Sequence, residues 1–357
     1  MTPTMYDYYR SQPQFMKRIL DKRKELFGGF AEFYEKTAPD RVYVYGSGTS
    51  FHAGNSAGEF MEMILGAEVS VLAPSQAVSL HGQRPLIIAV SQSGRSTNTL
   101  SAISYMREKG AKIASLTGWP RSPVGMAADC SVTLDIEDEL VSPKTKGYTA
   151  TALSLYLMAL EAGLLTRAIS ILEYDRWIRD ITASVEASEE NQEALRVFYE
   201  KHVETLARAK SYLFVGKGVC ANVAGEAALK VLETIYCPAV AYEFEEYLHG
   251  PIYYMNKDMA LFMIVPEDED KERMIRFCEM VSEVSPNVYL ITYDMGLKGA
   301  NIVNFKDGSY FMTPFSAAFP GQLVSALMPG KLGIVEHPIV RRLFDAMAIK
   351  TAPPSQA

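Results

Sequence analysis

The sequence predicts an α/β protein made of two tandem copies of one unit, each a parallel sheet flanked by helices. Three observations predict it. A β-rich apolar run that ends in Gly-x-Gly and leads into a helix-forming stretch occurs twice. It reads Val42-Tyr43-Val44-Tyr45-Gly46-Ser47-Gly48 and then Tyr212-Leu213-Phe214-Val215-Gly216-Lys217-Gly218. A second apolar run, Leu86 to Val90, returns as Ala260 to Val265, and a third, Ile113 to Leu116, returns as Val288 to Ile291. The offset stays between 170 and 175 residues throughout, which is the mark of a duplicated unit.

In chain order, Ser11 to Lys36 reads as one leading helix, so 1–37 is set apart as a leader. The first unit, 38–165, carries helical stretches at Ser56–Leu65, Ser96–Lys109 and Tyr148–Leu165. Thr166 to Lys210 is helical and rich in charge, and 166–207 is read as a connector. The second unit, 208–335, repeats the alternation with Ala221–Tyr236, Glu269–Ser282 and a stretch near Gln322 to Leu327. The tail is 336–357, and its last residues, Thr351 to Ala357, are expected to be loose. Strands alternating with helices imply parallel pairing, and right-handed crossovers then give a doubly wound, flavodoxin-like sandwich in each half.

Composition narrows the function. The 357 residues suit two domains at roughly 150 residues each. Hydrophobic residues at 48% and charged residues at 22% exclude wholesale disorder, collagen and coiled coil. Net charge is −7, so nucleic acid is not expected as the partner, because phosphate neutralisation needs a surplus of Lys and Arg. No apolar run approaches the ~20 residues of a membrane span, and Met1 to Arg18 lacks the apolar core of a signal peptide. The four cysteines are not at CxxC spacing and no HExxH pair occurs, so neither a metal site nor a disulfide framework is indicated. A reducing cytoplasm, no membrane and no cofactor are the expectations.

Two regions carry candidate chemistry. After Val90 comes Ser91-Gln92-Ser93-Gly94-Arg95-Ser96-Thr97, then a helix. This sets short hydroxyls and backbone N–H groups at a strand's C-terminal end and a helix N-terminus, where an anion binds readily. A plain serine-rich helix cap is the alternative. The loop Gly46-Ser47-Gly48-Thr49-Ser50 lacks the third glycine of a dinucleotide fingerprint, since Phe51 stands there, and Ala73-Pro74 follows the next strand without an acid for a ribose. In the second copy Glu226, Lys230 and Glu233 lie at i, i+4 and i+7, on one helical face. A solvated ion-pair face is the plainer reading. His249 precedes the turn-forming Gly250-Pro251 and so sits at a loop edge, where it can serve as acid or base.

The set GSGTS, SQSGRS, EAALKVLE and EYLHGP, in that order on a duplicated α/β chain, resembles the sugar isomerase (SIS) domain family. It resembles in particular the isomerase half of glucosamine-6-phosphate synthases and the stand-alone phosphosugar isomerases and ketosamine-6-phosphate deglycases. The resemblance runs from about Tyr6 to Leu343. It implies that Ser50, Ser91, Gln92, Ser93 and Ser96 hold a sugar phosphate, with Ser47 and Gly48 beside the sugar. It implies that Glu233 moves a proton between C1 and C2, that His249 opens the ring, and that Glu226 and Lys230 support them. Lys144, within Glu139 to Thr149, matches a segment that closes over the sugar. A homodimer or higher homo-oligomer with shared sites is implied, with His249 donated by the neighbouring subunit.

Two departures shape the expected reaction. No glutamine amidotransferase domain precedes the module in this sequence, so ammonia from glutamine is not expected. Leu343 stands where the synthase tail has its Schiff-base lysine, and Lys350 lies farther along. The expectation is a deglycase that splits a ketosamine 6-phosphate. An aldose–ketose isomerase, an amino-sugar-phosphate isomerase or deaminase, and a phosphosugar-binding regulator stay open.

Overall fold

The computed structural model describes residues 2–76, 81–335 and 338–351. The chain divides into two compact units. One comprises Phe15–Glu139, Gly147–Ile178 and Val335–Ala357, and the other Met1–Gln14, Leu140–Lys146 and Arg179–Ile334.

The leader is three helices rather than one: α1 Met5–Arg10, α2 Gln12–Asp21 and α3 Arg23–Thr37. Pro13 explains the first break. Its ring lacks an N–H and clashes with the preceding turn, so it is tolerated only where a helix starts. The chain therefore ends α1 at Ser11, whose N–H returns to the Asp7 carbonyl, and begins again. Lys22, at φ −91 and ψ 6, separates α2 from α3.

In the first unit, β1 Arg41–Tyr45, α4 Thr49–Leu65, β2 Glu68–Leu72, β3 Pro85–Val90, α5 Thr97–Glu108, β4 Lys112–Thr117, α6 Pro123–Met126 and β5 Cys130–Thr133 come in order. The sheet runs β2-β1-β3-β4-β5, all parallel, with Val42 opposite Leu86 and Ile88 opposite Ala114. Every residue of β3 is buried, as expected of a strand covered on both faces. Tyr43, Tyr45, Ile87 and Ala89 pack with Ile103, Met106 and Val124 to form one of its cores.

Two long helices come next, α7 Lys146–Leu165 and α8 Ile171–Leu206. By length and composition α7 is apolar enough to cross a membrane, although no unbroken apolar run marks it, and 83% of its apolar window is buried inside the protein. Much of α8 is buried also. Gln192 Nε2 donates to the Tyr9 carbonyl at 2.6 Å, and Asn191 bonds both ways with the Lys306 backbone.

The second unit continues with β6 Ser211–Gly216, α9 Val219–Ile235, β7 Ala239–Glu243, α10 Phe244–Leu248, β8 Met259–Val265, α11 Lys271–Val281, β9 Val288–Thr292, β10 Ile302–Asn304 and α12 Phe319–Leu332. Its sheet, β7-β6-β8-β9-β10, repeats the first strand for strand, again wholly parallel. Two parallel sheets flanked by helices are the two tandem flavodoxin-like units that the sequence predicts. A last helix, α13 Pro338–Ala346, leads to the C-terminal segment of the first unit. Glu336, His337 and 352–357 of the tail lie outside the described residues.

Candidate active site

The first unit builds a polar rim from two loops at the C-terminal ends of β1 and β3. Gly46 and Gly48 make the first loop. A Cβ on Gly46 would lie 2.8 Å from the Ser50 backbone, and Gly48 caps α4 at φ +55, where a side chain would be strained. Ser50 is buried and Ser47 exposed. Asn98, in the first turn of α5, donates to Ser47 Oγ at 2.8 Å and so ties this loop to the next.

The serine loop, 91–96, folds back on itself. Gly94 N–H donates to Ser91 O at 2.9 Å, and the Ser91 and Ser96 hydroxyls share a hydrogen bond of 3.1 Å. Gly94 has φ +64, and a Cβ there would lie 1.8 Å from Ser122 Oγ, so only glycine fits. Ser96 is the N-cap of α5, yet its side chain makes no capping bond. Its hydroxyl is turned to Ser91 instead, which weakens the plain-cap reading. Gln92 is held by its carbonyl, which accepts from Gly118 N–H at 3.0 Å. Its side-chain Nε2 is buried and makes no hydrogen bond among the described residues. Gly147, at the start of α7, gives that amide its room: a Cβ there would lie 2.3 Å from Nε2. A buried amide donor without an acceptor costs about 1–3 kcal/mol, which a ligand oxygen would offset. Ser47, Gly48, Ser50 and the whole of 91–96 are thus brought together.

Sequence reasoning missed the segment Ala348–Thr351, which lies against this loop. Thr97 N–H donates to Ile349 O at 3.1 Å and Thr97 Oγ1 to Ala348 O at 2.8 Å. Thr351 N–H donates to Arg95 O at 2.9 Å, and the Arg95 guanidinium donates to Thr351 O. Lys350 pairs with Ser96 in an antiparallel bridge. Leu343 lies on α13, half exposed, and has no part in it. No periodic pattern in the sequence signals a pairing this distant.

In the second unit, α9 presents its acid–base face as the i, i+4, i+7 spacing requires. Lys230 Nζ lies 2.6 Å from Glu233 Oε2 and 3.7 Å from Glu226 Oε1. The solvated-face reading fails. The Glu226 and Lys230 side chains are 0% and 1% exposed, while Glu233 is 39% exposed. Burying such a pair costs desolvation that offsets much of its Coulomb attraction. One carboxylate is sunk, one cation is shared, and the second carboxylate reaches the surface. Gly321 of α12 packs on this helix, since a Cβ there would lie 2.5 Å from Ala227 Cα. Its neighbour Gln322 donates to Thr145 O at 3.2 Å, which brings the 144–146 segment to the α9–α12 pair. Lys144 donates to Val141 O at 3.2 Å. His249 caps the C-terminus of α10 and is exposed. Among the described residues no hydrogen bond or ion pair joins its ring to Glu226, Lys230 or Glu233.

A cavity of about 310 Å³ opens at the opposite end of the first sheet, where β3 and β4 begin, with Lys36, Arg84 and Lys112 on its wall. Two helices, α3 and α5, end there. Helix C-termini attract lysines and disfavour anions, so these cations are accounted for without a ligand.

A family model for the SIS domain matches residues 37–161 and 205–295, more than half of the chain. The chain belongs to the SIS domain family. A glutamine–fructose-6-phosphate aminotransferase (isomerizing) of Aquifex aeolicus is 28% identical over 311 residues, covering 84% of this chain and 50% of that protein. Its Thermotoga maritima counterpart is 27% identical over 74% of this chain and 45% of its own length. The chain spans about half the length of the curated relatives it matches. Among solved structures, a candidate phosphosugar isomerase of Clostridium difficile 630 superposes with a TM-score of 0.89 at 27% identity, covering 98% of this chain and 99% of that one. The C-terminal domain of a Francisella tularensis glucosamine-fructose-6-phosphate aminotransferase shares the fold, with a TM-score of 0.77 at 21% identity over 91% and 96% of the two chains.

Proposed function

We propose that this SIS protein is a phosphosugar enzyme that moves a proton between C1 and C2, and that its reaction is deglycation of a ketosamine 6-phosphate. The observation that carries the reading is Lys230, buried between Glu226 and Glu233. A protein that only senses a sugar phosphate needs the serine loop and has no use for a costly buried cation beside a solvent-reaching carboxylate.

The chemistry is set by these groups. Ser50, Ser91, Gln92, Ser93 and Ser96 hold the phosphate through hydroxyls, an amide and the α5 N-terminus. His249 passes a proton between hydroxyl and ring oxygen to open the sugar. Glu233 takes the C1 proton of the open-chain ketosamine, leaving a 1,2-enaminolate whose O2 takes up a proton, and returns the proton to C2 as the nitrogen gives up its own. The product is a C1 imine. Water adds across its C=N bond and the amine leaves, giving an aldose 6-phosphate and a free amine. Lys230, 2.6 Å from Glu233 Oε2, positions that carboxylate and offsets the oxyanion that develops at O2. Glu226 keeps Lys230 charged and in place, and Lys144 belongs to a segment that closes over the sugar. The active form in this reading is a cytoplasmic homodimer that shares its sites.

Aldose–ketose isomerisation is the second reading. It uses the same proton shift with a hydroxyl in place of the amine, and the Clostridium difficile structural relative favours it. Incubation with a panel of ketosamine 6-phosphates and hexose 6-phosphates separates the two. Released amine with aldose 6-phosphate supports deglycation, interconverted hexose phosphates support isomerisation, and binding without turnover supports a regulator.

A further inference from the structure

The segment 140–146, which carries Lys144, has no ladder of its own. Residues 140–145 form neither helix nor strand, so side chains must hold their backbone. One aromatic ring of α1 takes both ends of the segment. Tyr8 Oη accepts from Leu140 N–H at 3.0 Å, and Lys146 Nζ stands 5.0 Å from the centre of the Tyr8 ring. A row of amides takes the segment at Thr145. Gln12 Nε2 donates to Gln322 Oε1 at 2.8 Å, and Gln322 Nε2 donates to Thr145 O at 3.2 Å. Gln12, Thr145 and Gln322 are fully buried and Lys146 nearly so, while Ser142, between the pinned ends, is exposed.

The clamp is itself fixed to the second unit, to which every residue of it belongs. Tyr9 packs edge-on against Phe319 of α12 at 5.6 Å. The Tyr9 carbonyl accepts from Gln12 Nε2 at 3.2 Å and from Gln192 Nε2 of α8 at 2.6 Å. Gly321, the neighbour of Gln322, seats α12 on Ala227 of α9. The helix that holds Thr145 is therefore packed on the helix that carries Glu226, Lys230 and Glu233. Apolar side chains would fill the same buried space. A row of paired amides adds direction to the filling, because each amide fits only one arrangement of donors and acceptors.

We propose that Tyr8 and Gln322 are positioning residues, which hold 140–146 and with it Lys144 in the closed place over the sugar, so that binding does not have to order the segment. A loop held in its bound conformation spares the ligand that ordering cost. The inference rests on the reading of 140–146 as the segment that closes over the sugar. It deepens that reading by naming what sets the segment's place, and it gives α1 and the start of α2 a task at the site.

Two probes and a protease test it without requiring turnover. Inorganic phosphate engages the serine loop alone, and fructose 6-phosphate also reaches the segment. In wild type, fructose 6-phosphate should slow tryptic cleavage after Lys144. Tyr8→Phe keeps the ring beside Lys146 and removes only the acceptor of Leu140 N–H. It should speed that cleavage and weaken fructose 6-phosphate about fivefold on calorimetry, the worth of one hydrogen bond, with phosphate affinity unchanged. Gln322→Leu should do the same and lower the melting temperature, because Thr145 O and Gln12 each lose a partner. Replacing both amides, Gln12→Leu with Gln322→Leu, should recover much of the melting temperature without recovering fructose 6-phosphate affinity. A purely structural role predicts that the two return together. That joint return, an unchanged ratio of the two affinities in Tyr8→Phe, or bound fructose 6-phosphate that gives Lys144 no protection in wild type overturns the inference and leaves the serine-loop reading standing. If wild type binds neither probe, the phosphosugar reading falls and this inference with it.

Discussion

The two halves share a strand order and carry different polar side chains at corresponding positions. Both open with the same glycine geometry: Gly48 caps α4 at φ +55 and Gly218 caps α9 at φ +54. The loops after the third strand of each half differ in charge. After β3 the chain reads Ser-Gln-Ser-Gly-Arg-Ser, and after β8 it reads Pro-Glu-Asp-Glu-Asp. In the second half Asp270 pairs with Lys217, and Lys271 bridges Glu267 and Asp294 at 3.1 and 3.0 Å. No anion is welcome among those acids. The glycine loop of the second half is plugged as well. Tyr310 Oη accepts from Val219 N–H at 3.1 Å and sits 2.1 Å from where a Cβ on Gly218 would be. Ser50 is matched by Cys220, a thiol that burial pushes up to about 12.

The helices reverse the assignment. Counting back by the 170-residue offset of the glycine loops, Glu226, Lys230 and Glu233 of α9 fall on Ser56, Phe60 and Met63 of α4. Ser56 bonds the Tyr148 hydroxyl at 2.8 Å and Phe60 stacks on Tyr156 at 4.0 Å, so those two positions are core, while Met63 is 44% exposed. One copy carries the serine loop above a helix that lacks the Glu-Lys-Glu set, and the other carries that set beside an acidic loop. In the proposed function each copy is given one task.

The division is broken most severely by removing the reactive helix's exposed acid. Glu233→Gln should cut turnover at least a thousandfold, within the range of a lost general base, while affinity for sugar phosphate holds. His249→Ala should do the same by blocking ring opening. If sites are shared between subunits, mixing the two inactive variants under exchange restores a quarter to a half of the activity. Full activity in Glu233→Gln would remove the helix from the reaction. Next in size is Lys230→Met, which strands Glu226 without its cation at 0% exposure. That should cost about 3–5 kcal/mol of stability, seen as a lower melting temperature, and adding Glu226→Gln should recover much of it. A melting temperature unchanged by Lys230→Met would mean the pair is not held in a dry interior.

The first half is tested by Ser93→Ala, which should weaken sugar-phosphate binding by about 1.5–3 kcal/mol on titration. Unchanged affinity would return the serine loop to the status of a helix cap.

How far the sequence showed all this depends on the range of each interaction. The repeated strand-Gly-x-Gly signal and the fully apolar β3 and β8 made the two sheets legible. Edge strands β5 and β10, of four and three residues, left no run long enough to read. The α9 triad was legible as a face, since spacing fixes direction, but its burial was not, because burial depends on what packs over the helix. Arg95 and Thr351 are 256 residues apart, and nothing local to either announces their bond.

The smallest effect sharpens the comparison most. Tyr310→Phe removes only the hydroxyl that accepts from Val219 N–H. The lost bond should lower stability by about 1 kcal/mol, or a few degrees of melting temperature. In the proposed function sugar-phosphate affinity and turnover should not move, because the variant lies away from the serine loop. The same variant asks why the second loop is silent. If the hydroxyl alone blocks it, opening the α9 N-terminus should create a second phosphate site, visible as a binding stoichiometry of two with inorganic phosphate. If the acids from Glu267 to Asp270 already repel anions, stoichiometry stays at one. Glu267 and Asp270 are paired with Lys271 and Lys217, but Asp268 and Glu269, which form no ion pair among the described residues, oppose the half-charge of a helix N-terminus, so one is the expected value.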